Sequence, residues 1–263
     1  MRCDACTLAY SDPPPRMEII HGAYDRLYGH DAAVARVAGR RLAVFSDFFD
    51  RVPPSGDARL LDVGCGTGDF LLLARERGWR PMGIDVSERA AARARERGVD
   101  ARTDWRGLPS APFEAVTLWN VVEFVQRPLD MLADVERVLV PGGHVFVRTP
   151  NERFQLAAYR LRRRIAWCGP LARLLGDAYY FQPVMWSAAT LATALTRAGF
   201  IDVELWNSRP SAGDPYHVRS PHREAAMHAA KRLVHACALG AGAATRGRVL
   251  IGSSISALAR KPT

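Results

Sequence analysis

The sequence contains no long hydrophobic run. Nowhere in the 263 residues does an uninterrupted apolar stretch approach the roughly 18 residues that a membrane-spanning helix needs. The first residues, 1–6, also lack the apolar core of a secretory signal. We therefore expect a cytoplasmic protein rather than an integral membrane protein or a secreted one.

Lysine is scarce, since Lys231 and Lys261 are the only two. Arginine supplies the rest of the basic residues, and the net charge is +9. Residues 148–176 hold seven arginines and one acidic residue. Such charge permits contact with nucleic acid or an anionic membrane. No nucleic-acid-binding motif or row of aromatic residues accompanies it, so nucleic acid is not the favoured partner.

Paired cysteines are also lacking. The five cysteines are Cys3, Cys6, Cys65, Cys168 and Cys237. Their odd number and scattered spacing argue against a disulfide framework. Cys3 and Cys6 form a single C-x-x-C knuckle, whereas structural zinc takes four ligands and no second close pair follows. The sequence therefore predicts no metal site.

Short apolar segments alternate with amphipathic helices along most of the chain. The predicted strands cover 59–63, 81–85, 99–103, 113–119, 144–149, 200–206 and 248–259. Ser87 and Ser187 are expected to cap helices, and Pro128 to begin one. This alternation predicts an α/β fold with a doubly wound, mostly parallel seven-stranded sheet and helices on both faces.

Two parts are expected along the chain. Residues 1–30 are an N-terminal segment of irregular structure, with three consecutive prolines at 13–15. Residues 31–263 form the main domain, which begins with a helix over 31–51. Within this domain, residues 151–183 interrupt the alternation and are predicted to be a basic helical insertion.

The most informative motif is a strand that leads into Gly64-Cys65-Gly66-Thr67-Gly68 and then a helix. In open α/β sheets ligands bind at the carboxyl ends of the strands, and glycine lets the backbone come close to them. The G-x-G-x-G spacing differs from the G-x-G-x-x-G of dinucleotide folds, which disfavours an NAD-dependent oxidoreductase.

Two acidic residues flank this turn in the predicted sheet. Asp62 precedes the first glycine, where a carboxylate can serve a ligand's ammonium group or orient the loop. Asp85 ends the next strand, where a carboxylate can accept both hydroxyls of a ribose. Each could instead be a polar cap at a strand end, but their shared placement favours a ligand site.

Together these features resemble the class I S-adenosylmethionine-dependent methyltransferases, which have a Rossmann-like fold. The resemblance runs from about Arg59 to Lys261 and includes 83–87, 103–105, 108–109, 113–120 and 139–143. It implies that S-adenosylmethionine is the cofactor and that its methyl group is transferred to an acceptor.

The resemblance also implies roles for individual residues. The backbone of Gly64–Gly68 would face the methionine and adenosine parts of the cofactor, and Asp85 would hold the ribose hydroxyls. Val86 would touch the adenine face. The adenine amino group would donate to Asp104, with Trp105 beside it.

On the acceptor side, Asn120 would face the sulfonium and the substrate. Similar enzymes of ubiquinone biosynthesis often carry Glu-His after the fourth strand, but here Glu123 is followed by phenylalanine. A histidine base at that place is therefore lost. The candidate catalytic residues are Tyr24, Glu123 and His217.

Residues 1–27 resemble the tail of a zinc ribbon that precedes some methyltransferases of this type. The first knuckle of that ribbon is not in the sequence, so either the sequence starts late or the ribbon has decayed. In relatives, the stretch that contains Tyr24 and Tyr28 folds over the cofactor pocket. The alternative for both tyrosines is ordinary packing.

The insertion lies where many class I methyltransferases place a segment that covers the substrate. Residues 154–175 combine Leu161, Ile165 and Trp167 with clustered arginines. This composition suits a basic amphipathic helix at a membrane surface. It also suits a solvated helix that packs Leu and Trp onto the sheet.

The sequence thus predicts an S-adenosylmethionine-dependent methyltransferase. The expected acceptor is a small or lipid-like molecule, methylated on oxygen, with carbon or nitrogen left open. A peripheral membrane contact through 154–175 is a further expectation. The main alternative is a non-catalytic, methyltransferase-like binding protein.

Overall fold

A computed structural model of the chain describes residues 1–16, 18, 22, 41, 43–108, 112–169, 182–211 and 221–263. Of the helix predicted over 31–51, Arg41 and residues 43–49 are described and are helical. Asp50 and Arg51 form a turn, so the helix ends at Phe49 rather than at 51. The other residues of that prediction, 31–40 and 42, lie outside the described residues, as do Tyr24 and His217.

The described residues form strands and helices that alternate along most of the chain. The strands are β1 (Ala9–Tyr10), β2 (Arg59–Val63), β3 (Arg80–Ile84), β4 (Asp100–Arg102), β5 (Phe113–Trp119), β6 (Leu139–Pro150), β7 (Val184–Met185), β8 (Ile201–Asn207) and β9 (Ser254–Arg260). The helices are α1 (Asp69–Glu76), α2 (Glu88–Glu96), α3 (Pro128–Val138), α4 (Glu152–Arg164), α5 (Ala188–Arg197) and α6 (Pro221–Ala244).

Seven of the strands form one sheet in the order β4-β3-β2-β5-β6-β9-β8. Strands β2 to β6 pair in parallel, and β9 lies antiparallel between β6 and β8. This confirms the predicted doubly wound, mostly parallel sheet. The order in which strands are added reverses between β2 and β5. From β2 the chain continues to β3 and β4 on one side, and then to β5 and β6 on the other. In such folds a ligand crevice opens at the carboxyl ends of the strands at this switch point.

Apolar side chains cover both faces of the sheet. In β5 every residue except Glu114 is buried, as expected for a central parallel strand. One apolar cluster includes Leu132, Val135 and Leu191, and it packs the helices α3 and α5. The second cluster lies around Phe48, Phe70, Trp79 and Phe146. The two clusters place helices on opposite faces of the sheet.

The predicted helix starts are confirmed by local hydrogen bonds. The Ser87 hydroxyl accepts from the backbone N–H of Ala90 at 3.2 Å. Ser187 and Thr190 form a reciprocal capping box at the start of α5. Pro128 occupies the first turn of α3, where its missing N–H costs nothing.

Some element boundaries differ from the prediction. Strand β6 begins at Leu139 rather than at 144, because residues before 144 also form backbone hydrogen bonds, with a residue that follows β9. The N–H of Gly142 donates to the carbonyl of Lys261 at 3.1 Å, and the N–H of Lys261 donates to Gly143 at 2.8 Å. The last strand, β9, begins at Ser254 rather than at 248.

The N-terminal residues are more ordered than expected. The N–H of Cys3 donates to the carbonyl of Leu8 at 2.9 Å, which closes a small hairpin. Strand β1 pairs antiparallel with β7, so this hairpin lies against the end of the insertion. The insertion itself contains α4, while its residues 170–181 lie outside the described part. None of the described helices is long and apolar enough to cross a membrane.

Candidate active site

The glycine-rich turn follows β2 at the switch point of the sheet. Gly64, Gly66 and Gly68 all have positive φ angles, of 76°, 55° and 81°. The N–H groups of Gly64 and Cys65 both donate to the carbonyl of Ile84, at 2.7 and 3.0 Å. The turn is therefore bonded to the end of the neighbouring strand, in a backbone conformation that favours glycine.

The first glycine is also sterically required. A Cβ atom added at Gly64 would overlap the side chain of Val121, which lies just beyond β5. A similar close approach occurs at Gly83, where an added Cβ would lie 2.5 Å from the Sγ atom of Cys65. The Cys65 side chain is thus wedged against β3, and burial raises the pKa of its thiol, so it remains neutral.

Asp85 links the glycine-rich turn to the start of α2. Its Oδ2 atom accepts from the N–H of Gly66 at 2.8 Å, and its Oδ1 atom accepts from the N–H of Ser87 at 2.9 Å. The carboxylate is buried. A carboxylate oxygen can accept more than one hydrogen bond, so these contacts are compatible with binding of a sugar diol.

Asp62 is buried at the carboxyl end of β2. The Thr117 hydroxyl donates to its Oδ1 atom at 2.7 Å. Burial raises the pKa of Asp62 to about 8, although the Thr117 bond opposes the shift; the charge of nearby Asp85 raises the pKa further. A nearby positive charge favours the ionised form of a carboxyl group. A cationic ligand would therefore lower the pKa of Asp62 and be bound by the ionised carboxylate.

A cleft that is partly open to solvent lies at the glycine-rich turn. Its walls include both polar and aromatic groups. They are Arg41, Phe45, Asp62, Gly64, Cys65, Gly66, Thr67, Asp69, Phe70 and Trp119. The rings of Phe45 and Trp119 meet edge to face, with centroids 5.1 Å apart. The buried Nε1 atom of Trp119 makes no hydrogen bond with the described residues.

The predicted adenine-side residues follow the ends of β3 and β4. Val86 is 60% exposed, and Trp105 packs partly buried against the core. The Asp104 carboxylate is engaged by Arg106, whose N–H and Nε donate to it at 2.8 and 2.7 Å. The Arg106 guanidinium lowers the pKa of Asp104. To accept from an adenine amino group, Asp104 has to share its oxygens with this arginine.

Asn120 and Glu123 belong to a separate, largely buried network that follows the end of β5. The Nδ2 atom of Asn120 donates to Oε1 of Glu123 at 3.0 Å, and its Oδ1 atom accepts from Nη1 of Arg148 at 2.5 Å. The Thr149 hydroxyl donates to Oε2 of Glu123 at 3.0 Å. Burial raises the pKa of Glu123 to about 7. Glu123 is 1% exposed and does not line the cleft, so its carboxylate is placed to orient Asn120.

The structure brings together most of the predicted cofactor residues. Asp62 and the residues 64–67 line one cleft, and Asp85 contacts the turn directly. The sequence reasoning missed Arg41, Phe45 and Trp119. Trp119 is the last residue of a predicted strand next to the motif, and that position could have revealed it. Arg41 and Phe45 come from the helix that precedes β2, and no local motif marks them.

Comparisons with known proteins agree with this geometry. A family profile described as a methyltransferase domain matches residues 31–205, more than half of the chain. A trans-aconitate 2-methyltransferase of Methylobacterium nodulans is 31% identical over 183 residues, which are 67% of this chain and 70% of that protein. The chain is an S-adenosylmethionine-dependent methyltransferase.

Two further proteins resemble this methyltransferase. A ubiquinone biosynthesis O-methyltransferase of Xylella fastidiosa is 34% identical over 121 residues, which are 42% of this chain and 48% of that protein. A solved SAM-dependent methyltransferase of Thermotoga maritima has a TM-score of 0.56 at 17% identity, and the match covers 93% of this chain and 97% of that one. The second comparison shows the shared fold.

The described residues of this methyltransferase fit S-adenosylmethionine. The cofactor carries an ammonium group, a ribose diol and a flat adenine ring. The cleft and its rim offer buried carboxylates at Asp62 and Asp85, and aromatic walls at Phe45 and Trp119. The glycine-rich turn lets the main chain approach the ligand closely. Membership of this family confirms the predicted methyltransferase and argues against the alternative of a non-catalytic binding protein.

Proposed function

We propose that this methyltransferase transfers the methyl group of S-adenosylmethionine to an oxygen atom of a small or lipid-like acceptor. The observation that carries the cofactor part of the proposal is the contact of Asp85 with the glycine-rich turn, which directly follows the strand that ends near Asp62 at the cleft. One protein that is 34% identical over 121 residues is an O-methyltransferase of ubiquinone biosynthesis, which supports oxygen as the acceptor atom.

The proposed roles follow from the groups at the cleft. The Asp62 carboxylate would receive the ammonium group of the cofactor, and the backbone of Gly64–Gly68 would line its methionine part, with Cys65 and Thr67 in the turn. Asp85 would hold the ribose hydroxyls. Val86 would lie against the adenine ring, and Asp104 with Trp105 would hold its edge.

When bound, the cofactor supplies an electrophilic methyl group on a sulfonium, so the protein has to align the acceptor with it. Asn120 would do this at the end of β5. Its side chain is fixed on both sides by Arg148 and Glu123. Glu123 acts through Asn120 and is therefore proposed as a positioning residue.

A general base depends on the acceptor. A carboxylic acid is ionised at neutral pH and needs no base, whereas a phenol or an alcohol does. Tyr24 and His217 remain the proposed bases for such an acceptor, and both lie outside the described residues. Conservative substitutions, Tyr24→Phe and His217→Asn, should lower turnover of a phenol and leave turnover of a carboxylate unchanged.

The N-terminal hairpin supports a second part of the proposal, that residues 1–27 are the remnant of a zinc ribbon. Cys3 and Cys6 lie in one tight turn, and hydrogen bonds from the backbone N–H groups of Cys6 and Ala5 lower the pKa of the Cys3 thiol. No group of three or more metal-binding side chains is found among the described residues.

We propose a domain boundary near residue 30 and a covering insertion at 151–183.

The acceptor atom can be tested with a labelled methyl group on the cofactor. The protein is incubated with carboxylic acids, phenols and lipid-like quinols, and the products are separated and treated with base. Methyl esters are cleaved by base, whereas methyl ethers and N-methyl groups are stable, and mass spectrometry distinguishes the last two. Label found on nitrogen or carbon would overturn O-methylation, and a failure to label any acceptor would remove the support for small acceptors.

The last part of the proposal is that residues 154–175 contact a membrane, from which a lipid-like acceptor would be drawn.

A further inference from the structure

The end of α4 exposes arginines beside two large apolar side chains. We define the α4 patch as Arg160, Leu161, Arg163, Arg164 and Trp167. All five are exposed, with Leu161 at 50% and Trp167 at 86% of their full accessible surface. A tryptophan this exposed is unusual, because burying its large ring is normally favourable.

The first half of α4 is anchored to the protein. Asn151 caps the helix by accepting from the N–H of Arg153 at 3.1 Å, and the Glu152 side chain pairs with Arg2 of the N-terminal hairpin. Glu152, Gln155 and Ala158 are buried. After Ala158 none of the described residues up to 169 is buried. The helix therefore projects its last turn from a fixed base.

The patch has the geometry of an interfacial helix. At about 100° per residue, Arg160, Arg163 and Arg164 fall within about 100° of the helix circumference. Leu161 borders this arc next to Arg164, and Trp167 follows in the turn after the helix. Arginines beside exposed leucine and tryptophan are the composition of helices that lie in the headgroup region of a bilayer.

We propose that the α4 patch docks this methyltransferase onto membranes rich in anionic lipid, with Trp167 and Leu161 entering the interface and the three arginines contacting lipid headgroups. The charge complementarity favours a bilayer over a neutral surface. The apolar pair favours it over a purely electrostatic partner such as duplex DNA. The inference rests on the proposed membrane contact of 154–175, and it is independent of which atom is methylated.

The test is co-sedimentation of the full chain with vesicles, measured without cofactor or acceptor so that failure of methyl transfer cannot affect it. One set of vesicles is pure phosphatidylcholine, and the other contains phosphatidylglycerol at about one lipid in three. We expect binding to the anionic vesicles only. Equal binding to both sets, or none to the anionic set, would overturn the proposal.

Two variants locate the contact. Replacing Arg160, Arg163 and Arg164 by Glu should weaken vesicle binding by about a hundredfold or more, since each basic residue near an anionic leaflet contributes about fivefold. Trp167→Ala should weaken it severalfold at unchanged charge. Because all four side chains are exposed, both variants should keep the thermal stability of the parent protein.

The matched control reverses three exposed arginines elsewhere, at Arg89, Arg232 and Arg248. It has the same net charge as the α4 variant and should bind anionic vesicles within about twofold of the parent if location matters. An equal loss in both triple variants would show that binding follows net charge alone and would contradict the patch. Loss of oligonucleotide binding without any change in vesicle binding would assign the arginines to nucleic acid instead.

Discussion

The Oδ2 atom of Asp85 lies 2.8 Å from the backbone nitrogen of Gly66 and accepts its hydrogen bond. This contact joins the end of β3 to the glycine-rich turn after β2. The two places that the sequence marks as a sugar-binding carboxylate and a ligand-binding turn are therefore in direct contact. The proposed cofactor site is held together by the protein's own hydrogen bonds, and this would reduce the ordering that binding requires.

A first prediction concerns Gly64, where both the φ angle and the space exclude a side chain. Gly64→Ala should destabilise the fold by about 3 kcal/mol and weaken cofactor binding by more than about tenfold, because its Cβ overlaps Val121. The free energy of unfolding and calorimetry with S-adenosylmethionine measure the two effects.

Gly199 provides the matched control for this substitution. Its φ angle is +94° and no atom lies within 4 Å of an added Cβ. Gly199→Ala should cost about 1 kcal/mol of stability from the backbone alone and leave cofactor affinity unchanged. Equal losses in the two variants would mean that the contact with Val121 has no effect.

A second prediction concerns the proton on Asp62. Because burial raises its pKa to about 8, the carboxyl group is mostly protonated at pH 7 before the cofactor binds. A bound ammonium group favours the ionised form, so binding at pH 7 should release a proton. Affinity should rise with pH until about 8 and then level off. Calorimetry in two buffers with different ionisation enthalpies counts the released protons.

Thr117→Val tests the origin of this proton. The Thr117 hydroxyl donates to Asp62 and opposes the pKa shift, so its removal should raise the pKa and move the rise in affinity to higher pH. Asp62→Asn should abolish proton release. Proton release that persists in Asp62→Asn would assign it to another group.

A third prediction concerns stability and Glu123, whose pKa of about 7 in the folded protein exceeds the value of about 4.3 in an unfolded chain. Between these values the native state binds more protons, so its stability falls as pH rises through this window. The full loss due to Glu123 across this window is about 4 kcal/mol.

Glu123→Gln cannot titrate, so its stability relative to the parent protein should increase by about 3 kcal/mol between pH 5 and pH 8. Asp62 also has a raised pKa, but it contributes equally to both proteins and cancels in the difference. Urea denaturation at the two pH values measures this quantity. A difference that stays constant with pH would show that Glu123 is ionised throughout.

A fourth prediction concerns the pairing of Asp104 with Arg106. If the Asp104 carboxylate accepts from the adenine amino group, Asp104→Ala should weaken cofactor binding by about threefold to tenfold. Arg106→Ala frees the carboxylate and should leave affinity unchanged or increase it. An equal loss in both variants would mean that the pair only stabilises the turn.

The sheet and the glycine-rich turn at the cleft could be predicted because local chemistry encodes them. The run 60–68 combines an apolar strand with glycines that tolerate positive φ angles. Ser87 and Ser187 mark helix starts by capping. These signals lie within a few residues of the structure they specify, so tertiary contacts did not need to be known.

The rest of the site depends on contacts between distant parts of the chain. Arg148 reaches Asn120 across 28 residues, and Phe45 meets Trp119 from a helix more than 70 residues earlier. Glu123 is a candidate base in the sequence, but the fold buries it against Thr149. Periodicity and motif spacing carry no information on such pairings, and burial decides which polar groups face a ligand.

The central claim is that Asp85 and the glycine-rich turn form one site for S-adenosylmethionine. Isothermal titration calorimetry of the parent protein and of Asp85→Ala tests it most directly. The account predicts one cofactor bound per chain and a loss of at least about tenfold in the variant, since Asp85 would hold the ribose and supports Gly66. Absence of binding to the parent protein, or equal affinity in the variant, would contradict it.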